Sequence, residues 1–195
     1  MLGLVVLLAA CGRASSAPAA PAPATTQASD APSAETLAAY DRYRRPDLIV
    51  LGLQLAPGQS VADVGAGRGY LTRRLADAVG ARGRVVATDI DAAALAAIPR
   101  GAPVETRQVR ADDPGLEAGA YDAILLAQVD QYLADRVDYL RRLSRALKPR
   151  GRIAVTNRLT YREPLLRAAA DAGLRVVDER NDLPAHFFVR LENTR

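Results

Sequence analysis

VADVGAGRGYL, residues 61–71, is the stretch that decides the fold. A short apolar run with β-branched valines leads into three closely spaced glycines, and a helix-like pattern follows from Tyr70 to Val79. This order of strand, glycine loop and helix is typical of a nucleotide-binding shape. Glycine lets the loop turn sharply and lets a ligand approach the backbone, while the helix N-terminus offers free N–H groups to an anionic group. The stretch therefore predicts a ligand site at the end of the first strand.

The glycine spacing indicates which nucleotide is bound. A dinucleotide fold requires G-x-G-x-x-G, whereas this loop is G-x-G-x-G and has an acid, Asp63, two residues before its first glycine. In this respect the sequence resembles the class I S-adenosylmethionine-dependent methyltransferases, whose motif of an acid and three glycines is matched by Asp63, Gly65, Gly67 and Gly69. The resemblance implies that these residues and Ala66 bind S-adenosylmethionine as the cofactor. The alternative is a sharp turn without a ligand, which also uses glycine.

A second acid, Asp89, follows the predicted second strand, 84–88. At the carboxyl end of that strand a carboxylate can accept hydrogen bonds from two ribose hydroxyls. The resemblance implies that Asp89 binds the ribose of the methyl donor and that Ile90 stacks on the adenine. The alternative is that Asp89 caps the following helix, although Asp91 is better placed to do so.

The resemblance implies two further contacts with the methyl donor. The turn after the third strand, residues 111–114, is similar to the motif in which an acid accepts from the exocyclic amine of adenine. Because Arg110 stands where many relatives have an acid, Asp112, Asp113 or backbone groups alone could contact the base. We assign this role to Asp112, and an ordinary Asp-Pro turn is the alternative. Ala127 follows the predicted fourth strand, 121–126, whose end faces the transferable methyl in the family.

Candidate catalytic residues come directly after that strand. Relatives frequently carry a histidine pair here, but this sequence has Asp130, Gln131 and Tyr132. Asp130 could orient or deprotonate an acceptor, and Tyr132 could bound its pocket. The alternative is an N-cap followed by a core aromatic. His186, the only histidine, is predicted to be structural, and a zinc site of Cys and His ligands is excluded because the chain has one residue of each type.

The remaining pattern predicts an α/β fold. Helical segments are predicted at 35–55 in two pieces, the second opening at Pro46, and at 70–79, 92–98, 133–147 and 164–172, with strands at 60–64, 84–88, 103–109, 121–126, 152–156, 174–179 and 185–192. Strands that alternate with helices imply a doubly wound, mostly parallel, seven-stranded Rossmann-like sheet. The last two strands have no helix between them, so they are expected to form a C-terminal hairpin that adds one antiparallel edge.

The N-terminus resembles a bacterial lipoprotein signal. Residues 1–10, MLGLVVLLAA, are apolar, and residues 8–11 are similar to a lipobox that ends at the single cysteine, Cys11. The resemblance implies cleavage before Cys11 and lipidation of that residue, although no Lys or Arg precedes the apolar run. The alternative is a frayed, alanine-rich N-terminus.

This signal predicts three segments and a location. They are a signal peptide at 1–11, a Pro/Ala/Ser/Thr-rich tether at 12–34 and a methyltransferase domain at 35–195. The expected location is the bacterial cell envelope, lipid-anchored and facing the periplasm, with the outer membrane favoured by Gly12. If the signal is not used, we expect a cytoplasmic protein.

Composition narrows the class of partner. The net charge is +4, and the sequence has no long basic runs interleaved with aromatics of the kind that nucleic-acid binding requires, so no nucleic-acid partner is expected. No metal partner is expected either. We expect a monomeric, membrane-tethered methyltransferase acting on a small-molecule or lipid-soluble acceptor. Because the methyl donor is made in the cytoplasm, a non-catalytic binding or scaffold lipoprotein stays open as a second hypothesis. A nicotinamide-dependent oxidoreductase would need the longer glycine spacing and a second domain.

Overall fold

Helices and strands alternate along the computed structural model, which describes residues 33–180 and 182–194. The helices are α1 (Ala34–Arg44), α2 (Pro46–Leu53), α3 (Thr72–Val79), α4 (Ala92–Ala96), α5 (Arg136–Ala146) and α6 (Arg162–Asp171). The strands are β1 (Ser60–Val64), β2 (Arg84–Asp89), β3 (Val104–Gln108), β4 (Tyr121–Ala127), β5 (Leu147–Arg158), β6 (Leu174–Arg180) and β7 (His186–Asn193). The predicted signal peptide with Cys11, and the tether up to residue 32, lie outside the described residues.

The strands form one sheet in the order β3-β2-β1-β4-β5-β7-β6. Neighbouring strands are parallel from β3 to β5, and β7 runs antiparallel to both β5 and β6. Helices follow β1, β2, β4 and β5. The doubly wound, mostly parallel, seven-stranded sheet with a C-terminal antiparallel hairpin is therefore confirmed.

The prediction left open which strand of the hairpin forms the edge of the sheet. The hairpin adds an antiparallel edge as expected, and within it β7 lies inside the sheet and β6 is the edge strand. The reason is burial. Phe187 and Phe188 of β7 are both completely buried, whereas Arg175 and Val176 of β6 are exposed. A strand with this apolar content is stabilised by neighbours on both sides.

Helix boundaries were predicted less accurately than helix positions. The helix predicted at 133–147 begins instead at Arg136, because the carboxylate of Asp135 accepts a hydrogen bond from the backbone N–H of Asp138 and caps it. A short 3-10 turn at Asp130–Tyr132 precedes it. At the other end β5 begins at Leu147, so residues 148–151, which lie between the predicted helix and the predicted strand at 152–156, belong to the strand.

The sheet buries a hydrophobic layer on each face. On one face α5 and α6 contribute Leu140, Leu143 and Leu165, and on the other α2 and α3 contribute Leu53 and Leu75. The carboxyl ends of the parallel strands meet at one edge of this core, where the loops are free to form a site. Within the described part of the chain, none of the helices has the length and apolar character needed to cross a membrane.

Candidate functional site

The glycine loop is fixed against the end of β2. The backbone N–H groups of Gly65 and Ala66 donate to the carbonyl oxygen of Thr88 at 2.8 and 3.0 Å. Gly65 has φ +73°, and a Cβ there would lie 2.3 Å from the side chain of Val129. Glycine is therefore required at this position both by backbone conformation and by space.

Asp89 joins this loop to the start of the next helix. One carboxylate oxygen accepts from the backbone N–H of Gly67 at 2.7 Å, and the other accepts from the N–H of Asp91 at 3.0 Å. Asp91 itself caps α4 by accepting from the N–H groups of Ala93 and Ala94. A carboxylate oxygen accepts more than one hydrogen bond, so Asp89 keeps acceptor capacity for a ligand.

A pocket of about 280 Å³, which we call the first pocket, lies beside this carboxylate. It is formed at the carboxyl ends of β1, β2 and β4, as expected for a doubly wound sheet. Its lining consists of Val64, Gly65, Thr88, Asp89, Ile90, Val109, Arg110, Ala111, Ala127, Gln128, Val129, Tyr132, Leu133 and Tyr139. The pocket is thus mostly apolar, with a few polar groups that could orient a ligand.

Two polar groups of this pocket were not found by sequence reasoning. Thr88 is buried, and its hydroxyl oxygen has no hydrogen-bond partner among the described residues. Tyr139 of α5 is also buried, and burial raises the pKa of its hydroxyl to about 12, so it stays protonated. An unpartnered buried hydroxyl beside Asp89 fits a polar ligand, because leaving such a group unpaired costs free energy. The only signal in the sequence was the position of Thr88 directly before Asp89.

Asp63 lies under the glycine loop and is not part of the pocket lining. The hydroxyl of Thr72 donates to its carboxylate at 2.6 Å, which ties the end of β1 to the first residue of α3. Burial raises the pKa of Asp63 to about 6, against the opposing effect of the Thr72 hydrogen bond, and the charge of Asp89 raises it further. The structure therefore places Asp63 where it supports the loop from below.

The other residues that we predicted to bind the methyl donor lie at or near the first pocket. Ile90 and Ala127 line it, and the side chain of Ile90 is 60% exposed, so an apolar surface is open to a ligand. Ala66, Gly67 and Gly69 belong to the adjacent loop and are not among the lining residues. Ala66 packs against the small cluster around Leu95 and Ile98.

Asp112 is placed differently from the prediction. It is exposed and lies outside the lining of the first pocket. The guanidinium of Arg110 donates to its two carboxylate oxygens at 2.9 and 3.0 Å. Because this neighbouring arginine occupies the carboxylate, the structure brings Arg110 and Ala111, and not Asp112, to the pocket.

The two candidate catalytic residues are separated by the structure. Tyr132 lines the first pocket and is 79% exposed. Asp130 is completely buried, accepts from the side-chain amide of Asn157 at 2.5 Å and lies 3.5 Å from the guanidinium of Arg136. Burial raises the pKa of Asp130. Asp130 lines neither the first pocket nor the larger pocket around Tyr40 and His186. Its placement therefore does not support the predicted contact with an acceptor.

A second pocket, of about 670 Å³, meets the first at Gln128. Its lining consists of Ala39, Tyr40, Tyr43, Arg44, Gln128, Arg158, Leu159, Thr160, Ala185 and His186. Nε2 of His186 lies 3.0 Å from the side-chain nitrogen of Gln128. We predicted His186 to be structural, but the structure places it where the two pockets adjoin. The sequence predicts only an edge hairpin here, and no local pattern indicates that β7 pairs with β5 at the site.

Among the described residues, no group of three or more His, Cys, Asp and Glu side chains could hold a metal ion.

Comparison with known proteins shows what the chain is similar to. Residues 62–153 match a family described as a methyltransferase domain. A nocamycin O-methyltransferase of Saccharothrix syringae is 35% identical over 126 residues, which cover 62% of this chain and 44% of the relative. A ubiquinone/menaquinone biosynthesis C-methyltransferase of Ectopseudomonas mendocina is 32% identical over 122 residues, which cover 59% and 48%. The chain thus spans about half the length of the curated relatives it matches.

Solved structures agree on the fold. A SAM-dependent methyltransferase from Aquifex aeolicus superposes with a TM-score of 0.72 at 20% identity, covering 78% of this chain and 92% of that one. The fold is therefore that of the class I S-adenosylmethionine-dependent methyltransferases. More particularly, the segment that matches the methyltransferase domain family, residues 62–153, contains the glycine loop, Asp89 and all of the residues that line the first pocket.

Proposed function

We propose that this chain is an S-adenosylmethionine-dependent methyltransferase that holds the methyl donor in the first pocket. The observation that supports this most strongly is the carboxylate of Asp89, held by the N–H of Gly67 at the mouth of that pocket. The unpartnered hydroxyl of Thr88 beside it adds a second polar group that needs a ligand. The match of residues 62–153 to a methyltransferase domain supports the same conclusion.

The residues of the first pocket suit the parts of this donor. Asp89 would accept hydrogen bonds from the ribose hydroxyls, and the apolar side chains of Ile90 and Val109 would flank the adenine. The donor supplies a methyl group already activated on a positively charged sulfur. The protein therefore has to align the reactants and exclude water more than it has to perform acid–base chemistry.

The acceptor that we propose is a small or lipid-soluble molecule. The second pocket adjoins the first at Gln128 and has a volume of about 670 Å³, within the range of small-molecule sites. The two curated relatives are named for nocamycin and for ubiquinone/menaquinone biosynthesis, which supports an acceptor of this size. We propose that the protein acts as a monomer without nucleic acid or metal.

We further propose that Cys11 carries a lipid that tethers the protein to the bacterial envelope, facing the periplasm. The support is the apolar run before Cys11 and the Pro/Ala/Ser/Thr-rich segment after it. Growth with labelled palmitate tests this. The label should appear on the full chain and be lost in Cys11→Ala. An unlabelled parent, or equal size and labelling of both, would contradict the tether and favour the cytoplasm.

Transfer of labelled methyl groups tests the activity itself. The full chain is incubated with methyl-labelled S-adenosylmethionine and an extract of bacterial envelope small molecules and lipids. We expect a labelled product that depends on the protein and disappears in Asp89→Ala. A chain that binds the donor but labels no fraction of the extract would instead support the non-catalytic binding lipoprotein.

A further inference from the structure

His186 occupies a position in the fold that its sequence neighbourhood did not reveal. It is the first residue of β7 and pairs in the sheet with Arg158, the last residue of β5. Both line the second pocket. Since β5 and β7 are antiparallel, the end of one and the start of the other meet at the same edge as the carboxyl ends of the parallel strands. The only histidine of the chain is thereby brought to the site.

The hydrogen bonds of His186 determine its tautomer. Nδ1 lies 2.7 Å from the carbonyl oxygen of Pro184, which can only accept, so Nδ1 carries the proton. Nε2 of a neutral ring then has a free lone pair, and the side-chain amide of Gln128 donates to it at 3.0 Å. This arrangement orients Nε2 toward the residue shared by the two pockets.

The backbone around this contact is strained on both sides. Gln128 has φ +60° and Ala185 has φ +55°, and neither is glycine. Each such residue costs free energy, and strain of this kind is concentrated at functional sites. The surrounding structure maintains these two conformations, at the residues that stand on either side of the Gln128–His186 contact.

The chemistry of the second pocket selects its ligand. Tyr40 and Tyr43 supply aromatic surface, and the two residues are 37% and 64% exposed. The guanidinium of Arg44 lies 4.3 Å from the ring centre of Tyr40, and Arg158 adds a second cation. Among the described lining residues none is acidic. Flat aromatic surface with arginine favours a planar, negatively charged ligand.

Resting on the proposed function, we propose that the second pocket takes a planar acceptor that carries a hydroxyl and an anionic group, and that Nε2 of His186 accepts the hydroxyl proton. The ligand hydroxyl replaces the amide of Gln128 at Nε2. Its O–H bond breaks as the proton passes to Nε2, and the oxygen forms a bond to the methyl carbon. The carbon–sulfur bond breaks with its electron pair left on sulfur, and the imidazolium returns its proton to water. Asp130, which is completely buried and lines neither pocket, has no part in this step.

The free protein provides the first test, because a single histidine needs no assignment. The full chain is labelled with ¹⁵N-histidine, and long-range nitrogen–proton correlations identify the tautomer. We expect the proton on Nδ1, where Pro184 accepts it. A ring protonated on Nε2 would leave no lone pair facing Gln128 and would overturn the proposal.

Three naphthalenes then separate the two parts of the ligand. 6-Hydroxy-2-naphthoate has both the hydroxyl and the charge, 2-naphthoate lacks the hydroxyl and 2-naphthol lacks the charge. We expect the first to bind about tenfold more tightly than 2-naphthol, because its carboxylate meets a guanidinium. It should also move the Nε2 resonance more than 2-naphthoate does, since the hydroxyl donates there. If millimolar 6-hydroxy-2-naphthoate leaves the chemical shifts of the His186 ring nitrogens unchanged, the assignment is contradicted.

Variants locate the effect. Arg158→Gln should weaken 6-hydroxy-2-naphthoate about tenfold and leave 2-naphthol unchanged. Arg167→Gln, an exposed arginine of α6 outside the pocket lining, is the matched control and should change neither. His186→Ala should abolish the preference for the hydroxylated naphthoate over 2-naphthoate, about fivefold in the parent. A preference kept in His186→Ala would overturn the role of Nε2.

These measurements need no methyl donor, so they are separable from the proposed function. If S-adenosylmethionine binds but the naphthalenes do not shift the resonances of the histidine ring, the inference about the second pocket fails and the proposed function stands. If the donor does not bind, the proposed function fails, whatever the ring resonances show.

Discussion

At the residue scale, Asp63 shows how the loop is supported at a cost in stability. Its carboxyl is buried and its folded-state pKa is raised from 3.8 to about 6 by burial. The folded state therefore holds this proton more tightly than the unfolded chain. Between about pH 4 and pH 6 the unfolded chain has lost the proton and the folded chain keeps it, so stability falls as pH rises through this range.

We expect Asp63→Asn to remove this pH-dependent penalty. The amide cannot ionise but can still accept from Thr72. The free energy of unfolding of the variant relative to the parent should rise by about 2 to 3 kcal/mol between pH 4 and pH 8. Urea denaturation of both proteins at the two pH values measures it. A difference that does not vary with pH would show that Asp63 does not titrate as its burial requires.

The glycines of the loop allow a matched comparison. Gly65 and Gly67 both have positive φ, but a Cβ at Gly65 would meet Val129 at 2.3 Å, whereas one at Gly67 would meet nothing within 4 Å. Gly67→Ala should cost about 1 to 2 kcal/mol from backbone strain alone. Gly65→Ala should cost about 1 to 3 kcal/mol more because of overpacking. Denaturation midpoints distinguish the two, and equal losses would contradict the packing of Val129 on Gly65.

At the scale of elements, α2 is held at its C-terminus by an arginine from the sheet. Nε and Nη2 of Arg152 in β5 donate to the carbonyl oxygens of Leu53 and Gln54 at 2.5 and 2.6 Å. Burial lowers the pKa of Arg152, and a cation near a helix C-terminus is favourable. This contact fixes the C-terminus of α2 against the sheet.

We expect Arg152→Met to destabilise the fold by about 2 to 3 kcal/mol, because two helix-terminal carbonyls lose their donors. Arg82→Met, at an exposed turn, should change the free energy of unfolding by less than about 0.5 kcal/mol. Denaturation of the two variants beside the parent gives the comparison. A loss of equal size in both would argue against the role of Arg152 as a cap.

Elements were predicted from sequence to different extents. The strand, glycine loop and helix around Gly65 were predicted because periodicity and turn residues there are local signals. The interior position of β7 could not be predicted in this way, because strand order depends on which surfaces are buried in the assembled sheet. Helix ends shifted for the same kind of reason at Asp135, whose capping contact depends on side-chain geometry.

At the scale of the whole molecule, the sequence predicted one pocket better than the other. Asp89, Ile90 and Ala127 could be singled out from the sequence because they follow strand ends, and all three line the first pocket. The roles assigned to these residues are still predictions. The second pocket depends on α1, β5 and β7, which are far apart in the chain, and no local pattern joins His186 to Gln128.

The central claim is that the first pocket binds S-adenosylmethionine through Asp89, and calorimetric titration of the full chain tests it most directly. We expect saturable binding of S-adenosylmethionine and of S-adenosylhomocysteine. Asp89→Ala should weaken both by about a hundredfold through the loss of charged hydrogen bonds, whereas Asp91→Ala, which removes only the α4 cap, should change them little. Absence of binding to the folded parent, or equal binding by parent and Asp89→Ala, would contradict the account.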